Sequence, residues 1–393
     1  LGIFLFIFEN PFRTFNFILF TSSSMKMNRY IFLPGYLRFQ VPLLVLFLWV
    51  VEPGVIGQGV GGGLGGSRGR IEGKVKFMPV PYLNYDRSLG FMFGGVPMVM
   101  FNPVKKDTLS PSSLVGGLGM YTTNKTWFGM GFGMFHFDRD NWRVMTVGGA
   151  GTVHFQFFLD FLSGLWIPYE SDATVFMVRV ERRIYQKIYG GVSFSLADIV
   201  TSLENLPVKD TTKLYGLGLN ISLDRRENPY YPRIGHYSNI NYHAFPEWVG
   251  NEEASQKIDI DHNHYFPVRG VHDVLAVRLF IGLGLGDLTF NQQYIVGSKD
   301  IRGYTQGAYR GNILLALQSE YRWNFHKRWG AVGFAGVATV FDAINKNDSG
   351  KLLPGAGAGL RFKVFPDTNF SVGIDVAKGI GDWGVSFQIG ESF

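Results

Sequence analysis

Leu214-Tyr-Gly-Leu-Gly-Leu-Asn-Ile-Ser-Leu-Asp224 reads as two interleaved sets of residues. Side chains alternate with period two along a strand. Tyr215, Leu217, Leu219, Ile221 and Leu223 therefore point one way, and Gly216, Gly218, Asn220, Ser222 and Asp224 the other. Asn312–Trp323 repeats the scheme, with Ile313, Leu315, Leu317, Tyr321 and Trp323 opposite Gln318, Glu320 and Arg322. Phe370, Val372, Ile374 and Val376 oppose Ser371, Gly373, Asp375 and Ala377 in the same way. In a soluble sandwich the second face is mostly charged and meets solvent. Here it is Gly, Ser, Asn and paired opposite charges, which suits the crowded polar interior of a barrel whose exterior meets lipid. Aromatics at strand ends (Tyr321, Trp323, Trp383, Phe393) suit an interfacial girdle.

The composition agrees. Of 393 residues 51 are glycine, about 13% against a usual ~7%, and charged residues make up only 17% where a soluble domain carries ~25%. There is no cysteine, which excludes disulfide scaffolds, cysteine zinc sites and thiol catalysis. The formal charge of +6 does not point to nucleic acid, because Lys and Arg alternate along apolar segments and form no basic block.

Sixteen strand segments follow from 75–85 to 383–393, an even number as a closed antiparallel barrel requires. With the first strand starting in the periplasm, the long connections 159–172, 200–212, 286–311 and 343–352 fall outside. The turns 138–141, 325–328 and 366–368 fall inside, where the connection 102–111 stands out as long. Upstream, Met25 or Met27 opens a secretory signal over 25–57, with Lys26, Arg29 and Arg38 ahead of the apolar run Val41–Val51. Residues 58–72 read as a glycine-rich linker and 1–24 as an upstream segment not native to the protein, the alternative being an N-terminal anchor helix that Glu9, Asn10 and Pro11 interrupt; this leaves 73–393 as the expected barrel.

The connection before the twelfth strand holds Gly297-Ser-Lys-Asp-Ile-Arg-Gly-Tyr304, then Gly307 and Arg310-Gly-Asn312. It resembles the arginine–glycine–aromatic motif of the sixth extracellular loop in the BamA/TamA outer-membrane assembly-factor superfamily, also called the bacterial surface antigen family. Three stretches match the same family in order. Asp224–Gly235 (DRRENPYYPRIG), with Asp224, Asn228, Pro229, Pro232 and Gly235, resembles the periplasmic turn before its ninth strand. Gly355–Phe365 with Ile374–Ala377 resembles strands fourteen and fifteen. Phe387-Gln-Ile-Gly-Glu-Ser-Phe393 resembles the C-terminal β-signal, with Phe387, Gly390 and Phe393 as its marked positions.

The resemblance spans 73–393 and implies an all-β fold: a single-chain 16-stranded antiparallel transmembrane β-barrel, integral to the outer membrane of a Gram-negative bacterium. It also implies that the sixth loop folds into the lumen, with Arg302, Gly303 and Tyr304 as a latch. A guanidinium in a narrow, partly dehydrated lumen needs a carboxylate. Asp342 occupies the family's acidic position on strand thirteen and is the first choice of partner; Glu320 on strand twelve is the second. The sequence has Ile344 where the family has a glycine two residues after the aspartate. Strand one carries Pro79 and Pro81, and strand sixteen Gly384 and Gly390, so their seam is a weak edge.

The implied role is protein insertion or translocation at the outer membrane. Outer-membrane lipid and lipopolysaccharide are the expected partners, with other outer-membrane proteins or lipoproteins. Only the glycine linker precedes strand one, which resembles a branch without POTRA domains. The alternative is a narrow pore or structural surface barrel that keeps the fold without insertase activity. No cofactor, metal or catalytic residue is expected. The sequence has no G-x-S-x-G, H-E-x-x-H or phosphate-binding glycine loop. Ser193, Ser195 and His154 read as facing the lumen without an orienting acid, and His262 and His264 read as half-exposed interfacial residues.

Overall fold

A computed structural model describes residues 3–9, 15–21 and 75–393, apart from 87–88, 160–164, 204–208, 229–230, 271, 298–299, 306–307 and 366–369. The chain divides into two units, 1–39 and 40–393. In the first, 3–9 and 15–21 pair antiparallel from Ile3–Thr21 to Glu9–Phe15. The expected signal over 25–57 and the linker 58–72 lie outside the described residues.

The second unit is an antiparallel barrel. Its strands are β1 (Val75–Asp86), β2 (Gly90–Phe101), β3 (Ser113–Thr122), β4 (Trp127–Phe137), β5 (Trp142–Leu159), β6 (Leu165–Tyr185), β7 (Ile188–Leu203) and β8 (Lys209–Asp224). The ring continues through β9 (Gly235–Phe245), β10 (Ser255–Val268), β11 (Asp273–Gly286), β12 (Arg310–Trp323), β13 (Trp329–Ala343), β14 (Leu353–Phe365), β15 (Phe370–Gly379) and β16 (Asp382–Ile389). β16 lies beside β1 and completes the ring. Within the segment 287–309, Tyr294–Ile295 adds a two-residue pairing to the start of β12.

The two faces of β8 differ as the alternation requires. Leu219 and Ile221 are each 59% exposed, whereas Asn220 and Ser222 are 3% and 1% exposed. The apolar set therefore faces outward, toward lipid, and the small polar set inward. A charge placed at Leu219 meets hydrocarbon, so Leu219→Arg should cost about 2–4 kcal/mol of folding stability in lipid vesicles. Urea titration of Trp fluorescence reads this; an unchanged midpoint would place Leu219 in water.

Strand ends differ from the sequence expectation at β6 and β16. β6 begins at Leu165, not 173, because residues 165–168 pair only with β5 (Gln156–Pro168, Leu159–Leu165), while pairing with β7 starts at Tyr169–Leu203. Pro168 thus sits on a one-sided edge, where a missing N–H is tolerated. β16 ends at Ile389, because Gly390 has φ +78° and turns the chain.

The inner wall is not polar throughout, which corrects the expected polar interior. On β1–β6 the inward set is largely apolar: Met78, Met98, Met100 and Leu114 are fully buried, and Met130 and Phe132 nearly so, with buried polar groups such as His136 of β4 and Arg179 and Glu181 of β6 among them. Polar inward groups concentrate on β8–β15, where Asp261, Arg278, Glu320, Arg322, Arg361 and Asp375 are all buried.

The long connection 102–112 is ordered around Asp107. Its Oδ1 accepts from the N–H groups of Leu109 and Ser110 (both 3.0 Å), and its Oδ2 from Ser110 Oγ (2.5 Å) and the Arg139 N–H (2.8 Å). Partial burial pushes the carboxyl up, but these four donors outweigh it and hold the pKa at about 2. A depressed carboxyl stabilises above its unfolded value near ~3.9 and loses that contribution as pH falls through the folded one. Pepsin cleavage beside Leu109 should be absent at pH 4 and appear as pH approaches 2. Equal cleavage at both values would contradict this anchoring.

Candidate functional site

Arg302 is 6% exposed and joins several strands. Its Nη2 donates to Glu320 of β12 (2.7 Å), its Nη1 to Asp375 of β15 (2.6 Å) and to Ser392 Oγ (3.0 Å). The guanidinium carbon lies 3.3 Å from the ring centroid of Phe334 on β13. Both carboxylates are fully buried and shared. Glu320 also accepts from Arg322 Nε (3.0 Å), and Asp375 is paired with Arg361. Glu391 completes the group, 3.4 Å from Arg361 Nε and 3.6 Å from Arg322 Nε. Three guanidinium groups thus meet three carboxylates in a water-poor interior, where each charge depends on the others.

Asp342, the first choice from the sequence, is not the partner of Arg302. Glu320 and Phe334 are paired across β12–β13, so the guanidinium sits at the Phe334 level. Asp342 is eight residues further along β13, roughly 26 Å at ~3.3 Å per residue. It is exposed at the strand end with φ +51°, and its carboxylate accepts from Asn312 Nδ2. Asp375 was missed because its place beside Glu320 depends on how the strands wrap, which spacing along the chain does not encode.

Neighbouring residues of the motif touch the same wall. Gly303 has φ +104°, and a Cβ there would lie 2.7 Å from the Lys378 carbonyl carbon, so only glycine fits. Tyr304 donates its hydroxyl to the Pro354 carbonyl (2.6 Å) and accepts from the Ile380 N–H (3.1 Å). The Thr305 N–H donates to Asp382 (2.6 Å). On the other side Asp300, fully buried, accepts from Arg278 Nη1 (3.1 Å), and the same guanidinium holds Asp261 of β10 (2.7 Å). Segment 300–305 is therefore pinned through both signs of charge.

The DRRENPYYPRIG stretch is a hairpin turn between β8 and β9. Asp224 closes β8 and pairs with Arg226 (2.9 Å) and Arg143 (3.1 Å). Asn228 Oδ1 accepts from the Tyr231 N–H (3.2 Å), and Glu227 accepts from the N–H groups of Arg233 and Ile234. Pro232 is buried, Gly235 has φ +103°, and Pro229 lies outside the described residues.

At the other motif, Phe387 meets Tyr82 of β1 edge-on, centroids 6.4 Å apart, across the seam. Phe393 does not belong to an interfacial girdle. It is fully buried with Tyr265, Val274 and Ala276, and its backbone oxygen accepts from Arg322 Nη2. Gly390 turns residues 391–393 onto the charged group.

His154 faces outward, not to the lumen, with its Nε2 3.2 Å from Glu170, because it shares its face with Thr152. His262 and His264 also face outward; His264 stacks with His236 (centroids 5.5 Å) and Phe266, and His262 lies tilted beside both histidines.

Comparison with known proteins follows the geometry. Residues 121–393 match the Omp85 superfamily domain. The fold is similar to BamA from Haemophilus ducreyi lacking POTRA domains 1–3, with TM-score 0.55 and 12% identity over 81% of this chain and 70% of that one. It is also similar to CdiB from Acinetobacter baumannii (TM-score 0.54, 14% identity, 81% of this chain and 60% of that). CdiB from Escherichia coli gives TM-score 0.56 and 12% identity over 81% of this chain and 63% of that one. The chain thus spans less than two thirds of either CdiB chain. No curated protein matches it in sequence. With sixteen antiparallel strands, an outward apolar face and a domain match over most of its length, the chain belongs to the Omp85 superfamily and is an integral outer-membrane β-barrel of the BamA/TamA type.

Proposed function

We propose that this barrel works by opening its β16–β1 seam, so that a substrate is inserted into or translocated across the outer membrane, and that the 287–309 segment is the lumenal plug that holds the seam shut. The observation that carries the reading is Arg302. One guanidinium binds β12 through Glu320, β15 through Asp375 and the chain just past β16 through Ser392. Releasing it frees the plug and the tail of the last strand together. The seam itself is the weak place of the ring. β16 has eight residues, the fewest of the sixteen strands, and Gly384 has nothing within 4 Å of where a side chain would begin. The reading favours a gated transporter or insertase over a plain pore, since buried ion pairs fill the inner wall of β10–β15.

The test uses the seam. The chain has no cysteine, so Tyr82→Cys with Phe387→Cys can be bridged by a short bifunctional methanethiosulfonate and released by reductant. In vesicles, folding of a test β-barrel and transbilayer movement of a labelled phospholipid are compared in bridged and reduced protein. The reading expects at least one to be faster after reduction. Equal rates for both would sink it.

A further inference from the structure

The methionines are distributed very unevenly. The chain has eleven; two, Met25 and Met27, precede the barrel, and the other nine all fall on β1–β6. Eight of those nine are 0–6% exposed, on the inward face. Met78, Met98, Gly116, Phe132, Val147 and Met177 are successive cross-strand partners, so one apolar row crosses six strands from the seam inward. At ~4.8 Å per strand the row is about 24 Å wide. A lipid acyl chain covers half of the ~30 Å hydrocarbon core, about 15 Å, and fits along it. Methionine is unbranched and soft, so such a face is dry and packed at rest yet can remould around an incoming aliphatic chain.

The edge of β1 argues against a different occupant. Pro79 and Pro97 are direct cross-strand partners, and neither has an N–H. The pair therefore cannot exchange ladder hydrogen bonds and occupies a non-hydrogen-bonded position, where each residue's backbone N points away from the partner strand. For Pro79 that direction is the seam, and Pro81, two residues on, points the same way. The middle of the seam edge of β1 thus lacks two successive donors. A strand adding to that edge would leave two carbonyls unsatisfied in lipid, which has no water to replace them.

From these two features together, and resting on the seam opening proposed above, we infer that the seam admits the aliphatic chain of a membrane lipid. It lodges this chain against the methionine face of β1–β6 and does not template a pairing strand on β1. Lipid already bathes the outer side of the same strands, so the chain moves from one apolar surface to another around a donor-poor edge.

The experiment is photolabelling. The bridgeable Tyr82→Cys/Phe387→Cys protein is reconstituted in phosphatidylethanolamine vesicles whose acyl chains carry a diazirine, illuminated, and mapped by mass spectrometry. Outward residues such as Phe77, Phe93 and Val115 report surrounding lipid in every sample. The inference expects additional adducts on inward Met98, Met130 and Val147 in reduced protein, and loss of these alone when the seam is bridged. Adducts confined to outward residues, or inward adducts untouched by the bridge, overturn it. Faster folding of a test β-barrel by reduced protein also overturns it, because a pairing strand would then be the substrate. Amide exchange in β16 separates the two proposals. Fast exchange with outward adducts only removes the lipid inference and leaves seam opening standing; slow exchange removes the opening itself.

Discussion

Arg302→Met should release the 287–309 segment from the barrel wall and turn a closed barrel into a conducting one. The substitution keeps an unbranched side chain over Phe334 and removes the charge with its hydrogen bonds to Glu320, Asp375 and Ser392. Glu320 and Asp375 then lose a shared cation, although Arg322 and Arg361 remain beside them. Removing one partner of a buried ion pair costs roughly 3–5 kcal/mol, because the other is left charged and dehydrated. At 1.4 kcal/mol per factor of ten, that moves the docked-to-released ratio by about two to three and a half orders of magnitude. In planar bilayers the unmodified protein should stay closed and Arg302→Met should show stable openings, with new protease cleavage between 300 and 309. Asp342→Asn should change neither property, since Asp342 binds Asn312 and not the arginine. An Asp342→Asn variant that conducts like Arg302→Met would reverse the assignment.

Arg278→Met should be as costly from the opposite side. Arg278 is 1% exposed and is the cation that Asp261 of the wall shares with Asp300 of the loop. Its loss leaves both carboxylates without that cation, again at about 3–5 kcal/mol. Asp300→Asn should cost much less, because Arg278 keeps Asp261. Arg278 holds the loop at Asp300 and the second grip starts from Arg302, two residues on, so their effects must couple. Once one grip is lost and the segment has left, losing the second adds little. Urea unfolding of the two single variants and the double variant in vesicles measures this. The double should fall well short of the sum of the singles; strict additivity would mean that the two arginines do not hold a common element.

Where one face was apolar and the other small and polar, as along β8, β12 and β15, period two alone placed the strands and their faces, and the sixteen-strand total followed. Where both faces are apolar the alternation is silent. On β2 the inward Met98 and Met100 stand between outward Pro97, Val99 and Phe101, and nothing in hydrophobicity tells the faces apart. The methionine positions themselves carry the missing signal, since eight of the nine on β1–β6 are buried on the inward face. The arginine of the latch was legible from its motif, but its partners were not. Glu320 lay within reach of that reasoning because it sits on the adjoining strand, whereas Asp375 comes from a strand 73 residues away in sequence. The inward turn of residues 391–393 hinges on Gly390, whose positive φ has no local signature beyond the glycine itself.

The central claim is that residues 294–297 and 300–305 are held against the buried face of the barrel and do not wave in solvent. Amide exchange of the unmodified protein in lipid nanodiscs addresses it most directly. The account predicts that a peptide covering 294–305 exchanges as slowly as the β12 strand, and that Arg302→Met brings it to the rate of an open loop. Complete exchange of that peptide within seconds in the unmodified protein, with β12 still protected, would contradict the account.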